Sequence, residues 1–199
     1  MTQTIGFIGL GSMGAGMTRN LLKAGFAVRG CDVDPILCER LREEGGKAVS
    51  TPAEAADGAA LLGVCVFNQA QAEDALFGED GAIERLSAGT TVMMHTTMAP
   101  KSAEELEKRL NQMNCLLVDA PVTGGKRGAD EGTLTIITSG SSAAIESAQS
   151  AFEAMGQRIY CVGETAGESI TPADPIFEDQ AFELRPLVEG VRFGPVENG

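Results

Sequence analysis

The feature that most constrains this chain is a glycine-rich turn within residues 5–32, set between a short apolar run and a helical pattern. The turn carries Gly9, Gly11 and Gly14, and a second apolar run ends at Asp32. In a βαβ unit the first glycine permits the tight turn, the second lets backbone approach a pyrophosphate, and the third lets helix pack on strand. The helix N-terminus adds free N–H groups and partial positive charge. The flanking strand, helix and acid favour a dinucleotide site over a purely structural turn.

Asp32 also discriminates between dinucleotides. Its carboxylate can accept hydrogen bonds from both ribose hydroxyls of NAD, and it would repel the 2′-phosphate of NADP. Val33 and Asp34 follow it, so no Arg or Lys is placed there to hold that phosphate. The sequence therefore predicts NAD as the cofactor.

Length and charge narrow the possible partners. The 199 residues suffice for one full α/β domain with a sizeable core, but they are few for two. A formal net charge of −13 argues against nucleic acid and against anionic membrane surfaces. No apolar run is long enough to span a bilayer, so we expect no membrane partner.

The cysteines and the histidine indicate the compartment and exclude one kind of site. The five cysteines form no Cys-x-x-Cys pair, as expected of free thiols in a reducing cytoplasm. The chain opens directly on the first predicted strand, so we expect no secretory signal and a cytoplasmic protein. His95 is the only histidine, which leaves no histidine cluster for a metal.

Strand and helix signals alternate to about residue 163, which is typical of a Rossmann-type doubly wound parallel sheet with helices on both faces. One helix is predicted to begin at Pro52 with Thr51 as its N-cap. Other helices are predicted at 35–44, 71–77, 100–112 and 142–155, and strands at 61–67, 90–94, 116–119, 134–138 and 159–162. Residues 164–199 hold four prolines and eight acidic residues. We therefore predict a dinucleotide-binding domain over 1–163 and a poorly structured, proline-rich acidic tail over 164–199.

A second glycine-rich segment, residues 119–140, follows the strand that ends at Asp119. Thr123, Gly124 and Gly125 lie near its start, where the strand end should face the cofactor crevice. Adjacent glycine N–H groups and a threonine hydroxyl can hold a carboxylate there. Spacing alone leaves a glycine-rich turn between strands as an equal alternative.

In combination, GFIGLGSMG, the acid at position 32, TTMAP at 96–100, and DAPVTGG with GADEGTL resemble the β-hydroxyacid dehydrogenase family, the group of 3-hydroxyisobutyrate dehydrogenase and tartronate semialdehyde reductase. The resemblance covers residues 5 to about 163. Within the family, residues 66–81 and 134–140 are most similar to the L-threonate dehydrogenases. The resemblance implies hydride transfer between NAD and a small hydroxy or sugar acid of the threonate or 3-hydroxyisobutyrate type.

The resemblance also implies a role for each matching residue. The glycine turn would hold the NAD pyrophosphate, and the backbone after the fourth strand would pass the cofactor. The site residues are Gly9, Leu10, Gly11, Ser12, Met13 and Gly14 for the pyrophosphate, Asp32 for the adenosine ribose, Val66 and Phe67 beside the cofactor, Thr97 at the nicotinamide ribose, and Thr123, Gly124 and Gly125 for the substrate carboxylate.

The chain departs from the family beyond Gly163. There the family carries a lysine, the general acid and base that moves the hydroxyl proton, followed by an all-helical domain. This chain reads GETAGESITPADP instead, with Pro172 near the expected lysine, and Lys126 is its last lysine. We therefore assign no catalytic residue, and we expect impaired turnover and loss of most of the family's homo-oligomer interface.

A catalytically inactive NAD-binding module is the alternative function. Two substitutes for the lysine stay open if the chain turns over. His95 lies just before the Thr96-Thr97 pair, and a tail carboxylate such as Glu168 or Asp174 could fold over the crevice.

Overall fold

A nine-stranded sheet with helices packed against it runs through residues 3–168, the part of the chain that the computed structural model describes. The strands are β1 (Thr4–Ile8), β2 (Ala27–Cys31), β3 (Lys47–Ala48), β4 (Leu61–Val64), β5 (Thr91–Met94), β6 (Leu116–Asp119), β7 (Val122–Thr123), β8 (Leu134–Ser139) and β9 (Gly156–Gly163). The helices are α1 (Gly14–Lys23), α2 (Pro35–Glu43), α3 (Pro52–Ala56), α4 (Gln69–Phe77), α5 (Pro100–Asn111), α6 (Gly125–Glu131) and α7 (Ser142–Met155), with a 3-10 turn at Ala82–Glu84.

The strand order is β3-β2-β1-β4-β5-β6-β8-β7, and β9 pairs with β8. The pairs among β1 to β6 are all parallel. From β1 the chain builds β2 and β3 on one side and then returns to place β4 on the other. In doubly wound folds this reversal opens a crevice at the carboxyl ends of the strands, and ligands bind there. The predicted α/β architecture is confirmed.

The apolar side chains of the strands alternate between two cores. Phe7 of β1 and Phe152 of α7 belong to the core on one face of the sheet. Ile8 of β1 and Leu106 of α5 belong to the core on the other face. All four are buried, because helices cover both faces of the parallel strands.

Local capping chemistry sets the starts of two helices. The side chain of Thr51 accepts a hydrogen bond from the N–H of Glu54 at 3.1 Å, and Pro52 is the first residue of α3. The side chain of Asp34 accepts from the N–H of Ile36 at 2.8 Å at the start of α2. The predicted N-cap at Thr51 is confirmed, and both helices follow the rule that a polar cap precedes proline.

The segment between β6 and β8 holds more regular structure than a glycine-rich turn. It contains β7 and the helix α6, and β8 runs antiparallel to both β6 and β7. Residues 124–133 are all that separate β7 from β8, whereas a parallel crossover needs about a dozen residues or more. The chain therefore turns back, and the run of parallel pairs from β3 to β6 ends there; β8 and β9 form a separate parallel pair.

Residues 164–168 continue past β9 and pack against α5. Ala166 is buried, and its N–H donates to Oε2 of Glu107 at 3.3 Å. A Cβ on Gly167 would overlap the carbonyl oxygen of Pro100, so only glycine permits this approach. The rest of the predicted tail, residues 169–199, lies outside the described residues.

Candidate functional site

The first and third glycines of the turn are required by packing. Gly9 has φ of +93°, and a Cβ there would overlap the carbonyl oxygen of Cys65, the residue after β4. A Cβ on Gly14 would overlap the carbonyl oxygen of Gly9. The two glycines therefore let the turn, the end of β4 and the start of α1 approach one another closely.

Gly11 has a different environment. A Cβ built on it would meet no heavy atom within 4 Å, so neither packing nor a positive φ explains the glycine. The carbonyls of Gly11 and Met13 accept the first helical hydrogen bonds of α1, from Ala15 and Met17. Met13, the N-cap, has no side-chain capping bond. The open space beside Gly11 and the uncapped N–H groups of α1 fit a pyrophosphate.

The carboxylate of Asp32 is held in place beside the turn. Its Oδ2 accepts from the N–H of Leu10 at 2.6 Å, and its Oδ1 accepts from the N–H of Asp34 at 2.9 Å. The residue is half-buried, so the remaining lone pairs of the carboxylate can accept from ligand hydroxyls. A dianionic 2′-phosphate would meet this negative charge, which fits NAD better than NADP.

The chain after β4 is shaped by a residue that sequence reasoning missed. Oγ1 of Thr96 accepts from the N–H of Val66 at 2.9 Å and donates to the carbonyl of Val66 at 3.1 Å. Thr96 is buried, whereas its neighbour Thr97, the predicted contact to the nicotinamide ribose, is exposed. The Thr-Thr pair was the available signal, but the sequence does not say which threonine turns inward.

Phe67, the second residue predicted beside the cofactor, projects from the crevice edge. Its side chain is 91% exposed, although it is large and apolar. Its N–H donates to Oε1 of Gln71 at 3.0 Å, and the N–H of Gln71 donates to Oδ1 of Asn68 at 2.9 Å. These bonds at the start of α4 fix the backbone here and leave the ring free for a ligand.

The predicted carboxylate loop lies where β7 passes into α6. Thr123 pairs with Thr135 of β8, and Gly124 and Gly125 follow with φ of +120° and +59°. A Cβ on Gly125 would meet nothing within 4 Å, so one side of the loop is open. Positive φ favours glycine at both positions whether or not a ligand binds.

Helix α6 is bound tightly to α1, which connects this loop to the glycine turn. A Cβ on Gly16 would lie 2.5 Å from the carbonyl carbon of Ala129. Nδ2 of Asn20, which is buried, donates to the carbonyls of Ala129 at 2.7 Å and Gly16 at 3.0 Å. Arg19 adds an ion pair to Asp130 at 3.0 Å. Helix α1, at the glycine turn, and helix α6, within the second glycine-rich segment, therefore pack as one unit.

His95 is a poor candidate for the missing base. It is buried, and its Nδ1 lies 2.9 Å from the carbonyl oxygen of Ala120. Burial lowers the pKa of the imidazole to about 4, against a smaller upward effect of that hydrogen bond. Glu168 accepts from the N–H of Glu164 and the hydroxyl of Thr165. Asp174, the other suggested base, lies outside the described residues.

The crevice is suited to binding and orientation. Burial raises the pKa of Cys65 to about 11 and that of Cys31 to about 12, so neither thiol is a nucleophile at neutral pH. Between residues 3 and 168, no group of three or more His, Cys, Asp or Glu side chains could hold a metal ion. No helix in the same range is long and apolar enough to cross a membrane.

Comparison with known proteins shows what this arrangement is similar to. Residues 4–163 match the family described as the NAD binding domain of 6-phosphogluconate dehydrogenase. L-threonate dehydrogenase of Haemophilus influenzae is 37% identical over 172 residues, covering 84% of this chain and 56% of that protein. Mitochondrial 3-hydroxyisobutyrate dehydrogenase of Mus musculus is 33% identical, covering 83% of this chain and 50% of that protein.

A solved structure from the same group of dehydrogenases is also similar to this chain. The crystal structure of 3-hydroxyisobutyrate dehydrogenase from Salmonella typhimurium is 34% identical, with a TM-score of 0.80, and the match covers 83% of this chain and 58% of that one. The chain spans about half the length of the curated relatives it matches.

Proposed function

Because the chain belongs to the family of NAD-binding domains of the 6-phosphogluconate dehydrogenase type, and its relatives include β-hydroxyacid dehydrogenases, we propose that it is the cofactor-binding part of an NAD-dependent hydroxyacid dehydrogenase. Residues 1–163 would form the dinucleotide-binding domain. The observation that carries the proposal is the pair formed by Gly11 and Asp32. The first leaves open space at the start of α1, and the second presents a carboxylate fixed beside it.

The residues of the chain would bind and orient the cofactor. The N–H groups of Gly9 and Leu10 already donate to Cys31 and Asp32, so the backbone N–H groups from Gly11 to Gly14 would hold the pyrophosphate. The start of α1 has no side-chain cap to compete for them. Asp32 would accept from the ribose hydroxyls. The two hydrogen bonds of Thr96 would hold the backbone of Val66 in the conformation in which it passes beside the cofactor. When bound, NAD supplies an acceptor for a hydride from the substrate carbinol carbon.

The substrate would be a small hydroxy acid of the threonate or 3-hydroxyisobutyrate type. The names of the two relatives support this class, and the carboxylate is its common feature. Thr123 would donate its hydroxyl, and Gly124 and Gly125 their N–H groups, to that carboxylate. The packing of α6 on α1 would then fix the distance between substrate and cofactor.

A binding module without turnover is the second candidate function. It is favoured because neither Lys126 nor His95 is suited to act as the general acid and base. Lys126, the last lysine, is ion-paired with Asp130 one helical turn away. His95 is neutral and bonded to Ala120. Loss of a general acid and base typically lowers a rate by about 10²–10⁴-fold. We therefore expect NAD binding with very slow turnover by the 199-residue chain.

Two assays separate the candidates. Calorimetry measures NAD binding, and absorbance of NADH measures turnover with L-threonate and 3-hydroxyisobutyrate, with lactate as a 2-hydroxy acid control. A chimera that adds the C-terminal part of the Haemophilus relative should raise turnover, and Gly11→Val in that chimera should abolish it. NAD binding with turnover only in the chimera supports both statements. Failure of the chain to bind NAD contradicts the proposed function, and fast turnover by the chain alone contradicts the binding module.

A further inference from the structure

His95 contacts both strands that flank β5, at the end where the crevice opens. It is the first residue after β5, and its N–H donates to the carbonyl of Val64 in β4 at 2.9 Å. Its Nδ1 lies 2.9 Å from the carbonyl oxygen of Ala120, the first residue after β6. One residue therefore links the carboxyl ends of three neighbouring strands.

The hydrogen bond to Ala120 fixes the tautomer of the imidazole. A carbonyl oxygen can only accept, so Nδ1 carries the proton and donates. Nε2 is then an acceptor, and it has no hydrogen-bond partner within residues 3–168. Leaving the buried Nε2 unpaired costs free energy, which makes the hydrogen bond of Nδ1 to Ala120 the polar contact that holds this side chain.

Two aromatic rings hold the plane of the imidazole. The ring of Phe7 in β1 stacks on the imidazole, with centroids 6.1 Å apart and planes at 18°. The ring of Phe152 in α7 meets its edge, with centroids 6.2 Å apart and planes at 81°. The imidazole is thus held from two directions by fully buried side chains.

The residues next to these hydrogen bonds are those assigned to the nicotinamide end of the cofactor and to the substrate carboxylate. Thr96, which holds the backbone of Val66, and Thr97 follow His95 directly. Ala120 leads through β7 to Thr123. We infer that His95 is a positioning residue, whose Nδ1 bond sets the loop after β5 against the loop after β6 and so aligns the nicotinamide end of the cofactor with the substrate carboxylate.

This inference rests on the proposed function. It predicts that changes at His95 affect the two halves of NAD differently. The glycine turn and Asp32 would hold the ADP-ribose half of NAD, and none of the bonds of the His95 side chain reaches them. The nicotinamide half would meet the loops that His95 aligns. Changes at His95 should therefore affect binding of NAD and leave binding of ADP-ribose almost unchanged.

Two substitutions form a matched pair. His95→Asn keeps an N–H donor at the position of Nδ1, and His95→Leu has similar size and removes the donor. Calorimetry should show that His95→Leu weakens NAD binding about three- to tenfold, the worth of one hydrogen bond. ADP-ribose affinity should change less than about twofold, and His95→Asn should restore most of the NAD affinity.

The unmodified chain gives a second readout that needs no variant. Because His95 is the only histidine, ¹⁵N-histidine labelling yields one imidazole spectrum. We expect a protonated Nδ1 and an unprotonated Nε2, with resonances that shift on addition of NAD and stay in place on addition of ADP-ribose.

The outcomes distinguish a failure of the role inferred for His95 from a failure of the proposed cofactor site. If ADP-ribose fails to bind the unmodified chain, the proposed cofactor site is wrong. If ADP-ribose binds but NAD binds no more tightly, or if His95→Leu weakens both ligands equally or neither, the role of His95 is refuted. A spectrum with the proton on Nε2 would refute it as well, even if His95→Leu does not fold.

Discussion

The N–H of Leu10 donates a 2.6 Å hydrogen bond to Oδ2 of Asp32, across a sequence separation of 22 residues. This bond joins the glycine turn after β1 to the end of β2. It fixes the carboxylate that would hold the adenosine ribose relative to the N–H groups that would hold the pyrophosphate. The two halves of the proposed site are therefore joined by a bond within the chain, which lowers the cost of ordering them on binding.

Removing the charge of Asp32 should narrow the preference for NAD over NADP. Asp32→Asn keeps a carbonyl oxygen that can accept from Leu10 and loses the charge that repels a 2′-phosphate. We expect weaker NAD binding and stronger NADP binding, measured by calorimetry. Asp32→Ala, which also removes the bond to Leu10, should weaken both. An unchanged ratio of the two affinities in Asp32→Asn would show that this charge does not select the cofactor.

Substitutions at Gly11 and Gly14 should have opposite consequences. Gly11→Val should leave the urea unfolding free energy within about 0.5 kcal/mol, because its Cβ direction is open, and should abolish NAD binding. Gly14→Ala should destabilise the fold by several kcal/mol, because its Cβ would overlap the carbonyl oxygen of Gly9. Undiminished NAD affinity in Gly11→Val would identify the turn as merely structural.

The stability of the chain should fall as the pH drops below 6.5, in part through His95. Burial lowers the folded-state pKa of His95 to about 4 from the ordinary value of 6.5, so the unfolded state binds the proton first. Stability from this group is complete above the unfolded pKa and is lost as pH falls toward 4. Between pH 7.5 and pH 5 the loss should be on the order of 2 kcal/mol.

Urea unfolding of His95→Leu at the same two pH values isolates this contribution. The variant should lose less stability on acidification than the unmodified chain, by about the same 2 kcal/mol. An equal loss in both proteins would show that His95 is not buried in its neutral form.

The contact between α1 and α6 should depend on Asn20 far more than on Arg19. Asn20→Ala removes two buried hydrogen bonds to backbone carbonyls, so we expect a loss of about 1–3 kcal/mol in the free energy of unfolding. Arg19→Met removes two partly exposed ion pairs, to Asp130 at 3.0 Å and to Glu44 at 2.6 Å, and should still cost only about 1 kcal/mol or less. A larger effect at Arg19 than at Asn20 would contradict this ranking.

The parts of the molecule that the sequence predicts are those that local rules decide. The glycine spacing with Asp32, the cap at Thr51 and the alternation of strands and helices all act within one βαβ unit or one turn. The role of Thr96 depends on pairing with Val66 across 30 residues, so neither periodicity nor spacing reveals it. The cofactor assigned from the motif agrees with the family that residues 4–163 match.

Two further features could not be predicted from the local sequence. Helix α6 forms in a glycine-rich stretch without an apolar period, and its packing against Gly16 and Asn20 of α1 supports it there. The imidazole of His95 pairs with Ala120, which only the sheet order brings near. In both cases tertiary contacts override what the local sequence indicates.

Calorimetric titration of the 199-residue chain with NAD and with NADP tests most directly whether the glycine turn and Asp32 form a dinucleotide site. We predict one NAD per chain, bound more tightly than NADP, with binding lost in Gly11→Val while the urea unfolding curve stays unchanged. The absence of NAD binding by the folded chain, or tighter binding of NADP, would contradict the proposed site.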